Sequence, residues 1–167
     1  HGLEPPRGRK ATRRATERAS SGAQGPDRWQ PCRNRPEDYL EIVRGKTAGP
    51  FAAGCKGAAL VANASAEKCE YLFEFGMELG IAFQLVDDLL DIRGDERMGK
   101  PRGSDIYDGK MTLPIIHALT ILHGPQRVRF SEIIRNFEDS LFDELISLLN
   151  FGGSLNYSEI LIRNHLE

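Results

Sequence analysis

A chain of 167 residues that is 40% apolar and 28% charged, with a net charge of −2, has the makeup of one ordinary soluble domain with its own core. Its apolar stretches are interrupted by Glu, Asp or Lys well short of the roughly eighteen residues a membrane span requires, so no membrane span is expected. Cys32, Cys55 and Cys69 are odd in number and lack CxxC spacing, which argues against a disulfide framework or a zinc site and favours reduced thiols in a cytoplasmic protein.

Residues 1–36 differ from the rest. Eight arginines and Lys10 stand against Glu4, Glu17 and Asp27, whereas the remainder of the chain is net acidic. Pro, Gly, Ser and Arg dominate, and Leu3 and Trp29 are nearly the only large apolar residues, so the segment is expected to be disordered and foreign to the domain that follows. Its prolines and missing apolar face argue against a transit peptide. Without aromatic interleaving, nothing supports a nucleic-acid arm.

A helix is predicted from Pro36, with Glu37 and Asp38 in its first turn and an apolar stripe through Tyr39, Ile42 and Val43 toward Lys46. Gly45-Lys46-Thr47 is not a phosphate-binding P-loop, because that motif needs glycine where Leu40 stands. Pro50 is expected to break or kink the helix. Phe51–Ala62 is rich in small residues suited to close helix contact, and Ser65 caps a long helix over Ala66–Arg93, about 40 Å in length and ended by Gly94. Thr112 caps the next helix, with Pro114 in its first turn, and Gly124-Pro125 ends it. Val128–Phe137, Leu141–Phe151 and Leu155–Leu166 are further helices. With no competing strand pattern the fold is expected to be an all-α bundle.

The chemistry gathers near the end of the long helix. Asp87, Asp88 and Asp91 stand at i, i+1 and i+4, which turns Asp87 and Asp91 to one face with Asp88 at its shoulder. In the last turns of a helix the macrodipole disfavours each acid by roughly 0.3–1 kcal/mol. Mutual repulsion adds about 0.2–0.5 kcal/mol per i,i+4 pair. Such a cluster points to an external cation, and oxygen ligands select Mg²⁺ or a similar hard ion, which binds through one or two carboxylates plus phosphate oxygens. Downstream, Lys100 and Lys110 flank a glycine-rich loop of a kind that closes over an anion. Gln84, one turn before Asp87, is placed to orient a carboxylate or bond a substrate, while Phe83 packs. The histidines are scattered, and His117 on an apolar helix is expected to be packed.

Taken in order, Lys46-Thr47, Phe83-Gln84, Asp87-Asp88-Leu89-Leu90-Asp91, Gly99-Lys100, Asp105 and Gly109-Lys110-Met111-Thr112-Leu113-Pro114 resemble the second aspartate-rich region of the trans-prenyltransferases, the all-α isoprenyl diphosphate synthases. The resemblance runs from about Tyr39 to the chain end. In family terms this is the second half of the isoprenoid-synthase bundle, so residues 37–167 are expected to be a partial domain lacking the N-terminal helices. It implies condensation of isopentenyl diphosphate with an allylic diphosphate, using Mg²⁺ or Mn²⁺. It implies Asp87 as direct metal ligand, Asp88 and Asp91 as nearby or water-mediated ligands, and Asp105 as an outer acid. Lys46, Lys100 and Lys110 would hold diphosphate oxygens, Lys46 and Lys100 being the residues expected to serve catalysis, with Thr47 and Gln84 as hydrogen-bonding partners.

The intact family form implies a homodimer or heteromer. No other DDxxD is present, so the first aspartate motif and the arginines that follow it are missing. Two other classes compete: a non-catalytic subunit of a complete synthase, and a class I terpene synthase. Lys100, Asp105 and the Lys110–Pro114 run favour the prenyltransferase.

Overall fold

The computed structural model describes residues 35–94 and 102–167. The expected disorder of residues 1–36 therefore lies almost wholly outside the described residues, as does Lys100. Every element among the described residues is helical, and their order is α1 (Pro36–Val43), a π-helical turn (Arg44–Ala48), α2 (Gly49–Val61), α3 (Ala66–Arg93), α4 (Ser104–Tyr107), α5 (Leu113–Ile121), α6 (Gly124–Arg135), a 3-10 turn (Asp139–Leu141), α7 (Phe142–Phe151) and α8 (Ser154–Leu166).

The break expected at Pro50 does not occur. Val43, Ala48 and Gly49 keep right-handed helical dihedrals, and the Gly49 N–H bonds the Arg44 carbonyl, five residues back. Proline lacks an N–H and its ring collides with the carbonyl four residues earlier. One widened turn accommodates both, so α1 and α2 join through it and Pro50 sits in the first turn of α2.

α3 has the predicted bounds. The Ser65 hydroxyl accepts from the Lys68 N–H, and Gly94 ends the helix at φ 71°, ψ 136°. Its positive φ suits glycine, although its ψ lies beyond the left-handed helical region. Small residues do bring α2 and α3 together, but the contact centres on Ala48 and Ala52 against Gly76 and Gly80. A Cβ at Gly76 would stand 2.6 Å from Ala52 Cα, and one at Gly80 would stand 2.5 Å from Ala48 Cα. Phe83 packs as expected, its ring tilted against that of Phe51 with centroids 5.5 Å apart, and it remains 55% exposed.

Gly124-Pro125 opens α6 rather than merely ending α5, since proline is tolerated in a first turn whose N–H groups have no helical partner. The larger core joins Leu89 and Ile92 of α3 to Ile115, Leu122, Phe130, Ile133, Leu145 and Leu149. A second cluster of Val43, Ala48, Ile81, Leu85 and Leu113 lies under the π turn. α8 is pinned to α3 by the Arg93–Glu159 ion pair and a His165–Glu78 hydrogen bond. His117 is packed, stacking on Tyr157 at 4.1 Å with Nδ1 3.0 Å from Ser154 Oγ.

Gly76→Ala is expected to cost about 1–3 kcal/mol in a denaturant titration, because backbone must move to admit the methyl. Gly54→Ala, on α2 with nothing within 4 Å, should instead stabilise by up to about 1 kcal/mol. A second expectation concerns pH. Burial lowers the His117 pKa, so the unfolded chain binds more protons as pH falls through about 6.5 and the fold loses stability there. The thermal midpoint of wild type should drop more than that of His117→Gln between about pH 7.5 and about pH 5.

Candidate active site

Where the π turn faces the second half of α3 and the start of α5, a cavity of about 300 Å³ is lined by Tyr39, Ile42, Val43, Lys46, Thr47, Gln84, Asp87, Asp88, Asp105, Lys110, Met111 and Thr112. Seven of the nine predicted site residues thus meet at one place. Asp91 is not in the lining, and Lys100 is outside the described residues.

The three acids of DDxxD have separate surroundings. Asp88 is 4% exposed, and both its oxygens are taken: Oδ1 by Gln84 Nε2 at 3.0 Å, Oδ2 by the Tyr39 hydroxyl and by the Leu113 N–H at 3.4 Å. Burial raises its pKa, and those three donors pull it back toward the ionised form. Burial, reinforced by Asp88, pushes the Tyr39 phenol far above its ordinary range, so it remains a donor.

Asp91 is likewise buried, accepting from Ser104 Oγ at 2.5 Å and from the Asp105 N–H at 3.1 Å. It anchors the first turn of α4, a short helix absent from the sequence reading. Asp87 is half-buried at the cavity wall. One face of α3 does carry Asp87 and Asp91, but one helical turn of rise delivers Asp91 to α4 and away from the cavity.

On the cationic side Lys46 is exposed at the cavity from the π turn, next to Thr47, whose hydroxyl donates to Gln84 Oε1 at 2.9 Å. Lys110 lies 2.5 Å from Asp105 and 3.5 Å from Asp108. The hydrogen bond to Asp105 raises its pKa and keeps it charged. Thr112 has the extended backbone of an N-cap, but its hydroxyl makes no capping bond. Pro114 offers no N–H, and the Leu113 N–H is spent on Asp88, so Asp88 caps α5 from another helix. Thr112 Oγ1 is left buried without a hydrogen-bond partner at the cavity wall.

Among the described residues no three His, Cys, Asp or Glu side chains converge to hold a metal by themselves. The donors present fit a hard cation that takes one or two carboxylates from the protein and completes its shell with water and phosphate oxygens. Sequence reasoning missed Tyr39, seen only as part of an apolar stripe. Its place seven residues before Lys46, two helical turns back on the same face, was the available signal.

The model of the polyprenyl synthetase family matches residues 15–149. A short chain isoprenyl diphosphate synthase of Methanothermobacter thermautotrophicus is 35% identical over 131 residues, which is 78% of this chain and 40% of that protein. Among solved structures, the geranylgeranyl pyrophosphate synthetase of Pyrococcus horikoshii is similar at TM-score 0.73 and 34% identity, over 79% of this chain and 41% of that one. The polyprenyl synthase of Caulobacter crescentus, crystallised with calcium and isoprenyl diphosphate, is similar at TM-score 0.69 and 36% identity, over 77% of this chain and 40% of that one. The chain therefore spans about two fifths of the length of these relatives. With a family match over most of its length, the chain belongs to the polyprenyl synthetase family.

Proposed function

We propose that this chain contributes one side of a trans-prenyltransferase active site, in which an allylic diphosphate loses its diphosphate and the resulting carbocation is captured by isopentenyl diphosphate. The single observation that carries the reading is the cavity itself, which Lys46, Thr47 and Lys110 line together with Asp87 and Asp105. Mg²⁺ or Mn²⁺, when bound, supplies Lewis-acid stabilisation of charge on the departing diphosphate. Asp87 would hold it, with Asp105 as an outer acid. Asp88 and Asp91 orient neighbouring side chains and reach the cation through water rather than directly, since each of their oxygens already accepts a hydrogen bond from the protein. Lys46 and Lys110 hold diphosphate oxygens, Lys110 exchanging its bond to Asp105 for one to the anion, and Lys100 joins them. The preorganised positive charge is the main source of rate in such a scheme.

Partners and location follow the same reading. Leu60 and Val61 of α2 and Tyr71 and Phe75 of α3 are exposed large apolar residues, which favours a homodimer or heteromer over a free monomer. No helix among the described residues is long and apolar enough to cross a membrane. A cytoplasmic location is part of the proposal.

Calorimetric titration with pyrophosphate in the presence of Mg²⁺ is expected to give binding that weakens at least tenfold, about 1.4 kcal/mol, in Asp87→Ala and in Lys46→Ala. Equal affinity of wild type and Asp87→Ala overturns the metal assignment. With a single aspartate cluster the diphosphate is clamped from one side only, and losses from an incomplete cooperating set run to many powers of ten. The 167-residue chain alone is therefore expected to form no prenyl product from radiolabelled isopentenyl diphosphate and allylic diphosphates. Turnover abolished by Asp87→Ala would refute that expectation.

A further inference from the structure

The hydrogen bonds behind the cavity wall run in one direction, and that direction is fixed by chemistry. Asp88 accepts in every one of its three side-chain hydrogen bonds, from Tyr39, Gln84 and Leu113, and offers no proton to a neighbour. Tyr39 and the Leu113 N–H both donate to Oδ2, which holds the carboxylate in one orientation with Oδ1 toward Gln84. The side of Gln84 that faces Oδ1 must then be its NH2 group, 3.0 Å away. Its carbonyl oxygen is consequently turned the other way, toward Thr47, and an amide oxygen can only accept. Thr47 must therefore give its one hydroxyl proton to Gln84, at 2.9 Å. A hydroxyl has a single proton, so what Thr47 keeps for the cavity is its lone pairs.

We propose that Tyr39 is a positioning residue: through Asp88 and Gln84 it commits the Thr47 proton to the protein, so that Thr47 faces the cavity as an acceptor. The inference rests on the reading of this cavity as a diphosphate and metal site, and sharpens it. A Thr47 oxygen that only accepts repels a bare diphosphate oxygen, and instead takes a hydrogen bond from the Lys46 ammonium or from a water on the cation. It thus steers the neighbouring lysine rather than holding the anion. Tyr39 lies on α1, Asp88 and Gln84 on α3 and Thr47 in the π turn between α1 and α2, so the relay also reports how α1 sits against α3. If the Tyr39 hydroxyl is removed, Asp88 keeps two donors but loses the one from α1, and Gln84 and Thr47 regain freedom to turn.

The test uses the full 167-residue chain in two arms. The first needs no ligand: the Gln84 side-chain amide resonances of wild type are compared with those of Tyr39→Phe and of Asp87→Ala. Tyr39→Phe is expected to move them toward the position of a solvated amide and to speed their exchange with water, while Asp87→Ala leaves them in place. Unmoved resonances in Tyr39→Phe overturn the relay. The second arm measures pyrophosphate binding with Mg²⁺ at a temperature where all variants are folded. Tyr39→Phe should weaken binding about tenfold in the wild-type background and less than about twofold in Thr47→Val, since both changes remove the same effect.

A merely structural tyrosine predicts equal losses in the two backgrounds, and that result overturns the positioning role. Moved resonances with unchanged affinity overturn it too. A wild-type chain that binds no pyrophosphate refutes the diphosphate reading and with it the acceptor role of Thr47, and the amide resonances then decide the relay alone.

Discussion

A buried carboxylate at the junction of three helices is the constraint on which the site depends. Taking the charge of Asp88 out of water costs several kcal/mol, of order the whole stability of a small domain, unless donors replace the lost hydration. Here α1 contributes Tyr39, α3 contributes Gln84 and α5 contributes the N–H of Leu113. The arrangement is mutual. Asp88 needs the three donors, and each of the three elements is located by having to supply one. A negative charge at the N-terminus of α5 suits that helix's dipole, which offsets the unfavourable dipole the acid meets near the C-terminal end of α3.

The approach of α1 and α2 to α3 sets the depth of the cavity. Ala48 against Gly80 and Ala52 against Gly76 leave no room for a single added carbon, so the backbones meet almost directly. The Thr47–Gln84 hydrogen bond lies next to this contact, Thr47 beside Ala48 and Gln84 one turn after Gly80. The π turn completes the geometry. By absorbing an extra residue it lets the helix run past Pro50 and turns Lys46 and Thr47 onto the face that looks at Asp87 and Asp88. Proline, the residue that ought to have disrupted the helix, is thus found beside the turn that aims the lysine.

Part of the charge around the cavity is paired within the protein. Asp105 is held by its N–H to Asp91 and by its carboxylate to Lys110, so the loop that carries both is tied to the end of α3. Such a pair at the rim is weak in water. It can therefore exchange partners at small cost, unlike the buried Asp88 set. Separate strengths suit separate tasks: the interior bonds keep the wall in shape, and the rim bond yields to an anion.

Periodicity and punctuation alone determined the helical class, the bounds of α3, its Ser65 cap and its glycine stop, because these depend on neighbours within a turn or two. The site residues were legible as an ordered set through Lys46-Thr47, Gln84, DDxxD, Asp105 and Lys110, since their types and spacing survive without coordinates. What each acid does was not legible. Asp87, Asp88 and Asp91 are identical side chains within five residues, and only the positions of Tyr39, Leu113 and Ser104, distant along the chain, decide that Asp88 and Asp91 serve as acceptors within the fold and that Asp91 turns away from the cavity. The same holds for Pro50 and for Thr112. A proline reads locally as a breaker and a threonine as a cap, but packing of α2 on α3 stabilised the widened turn, and Asp88 took over the capping of α5, outcomes that rest on contacts between helices rather than on any pattern within one.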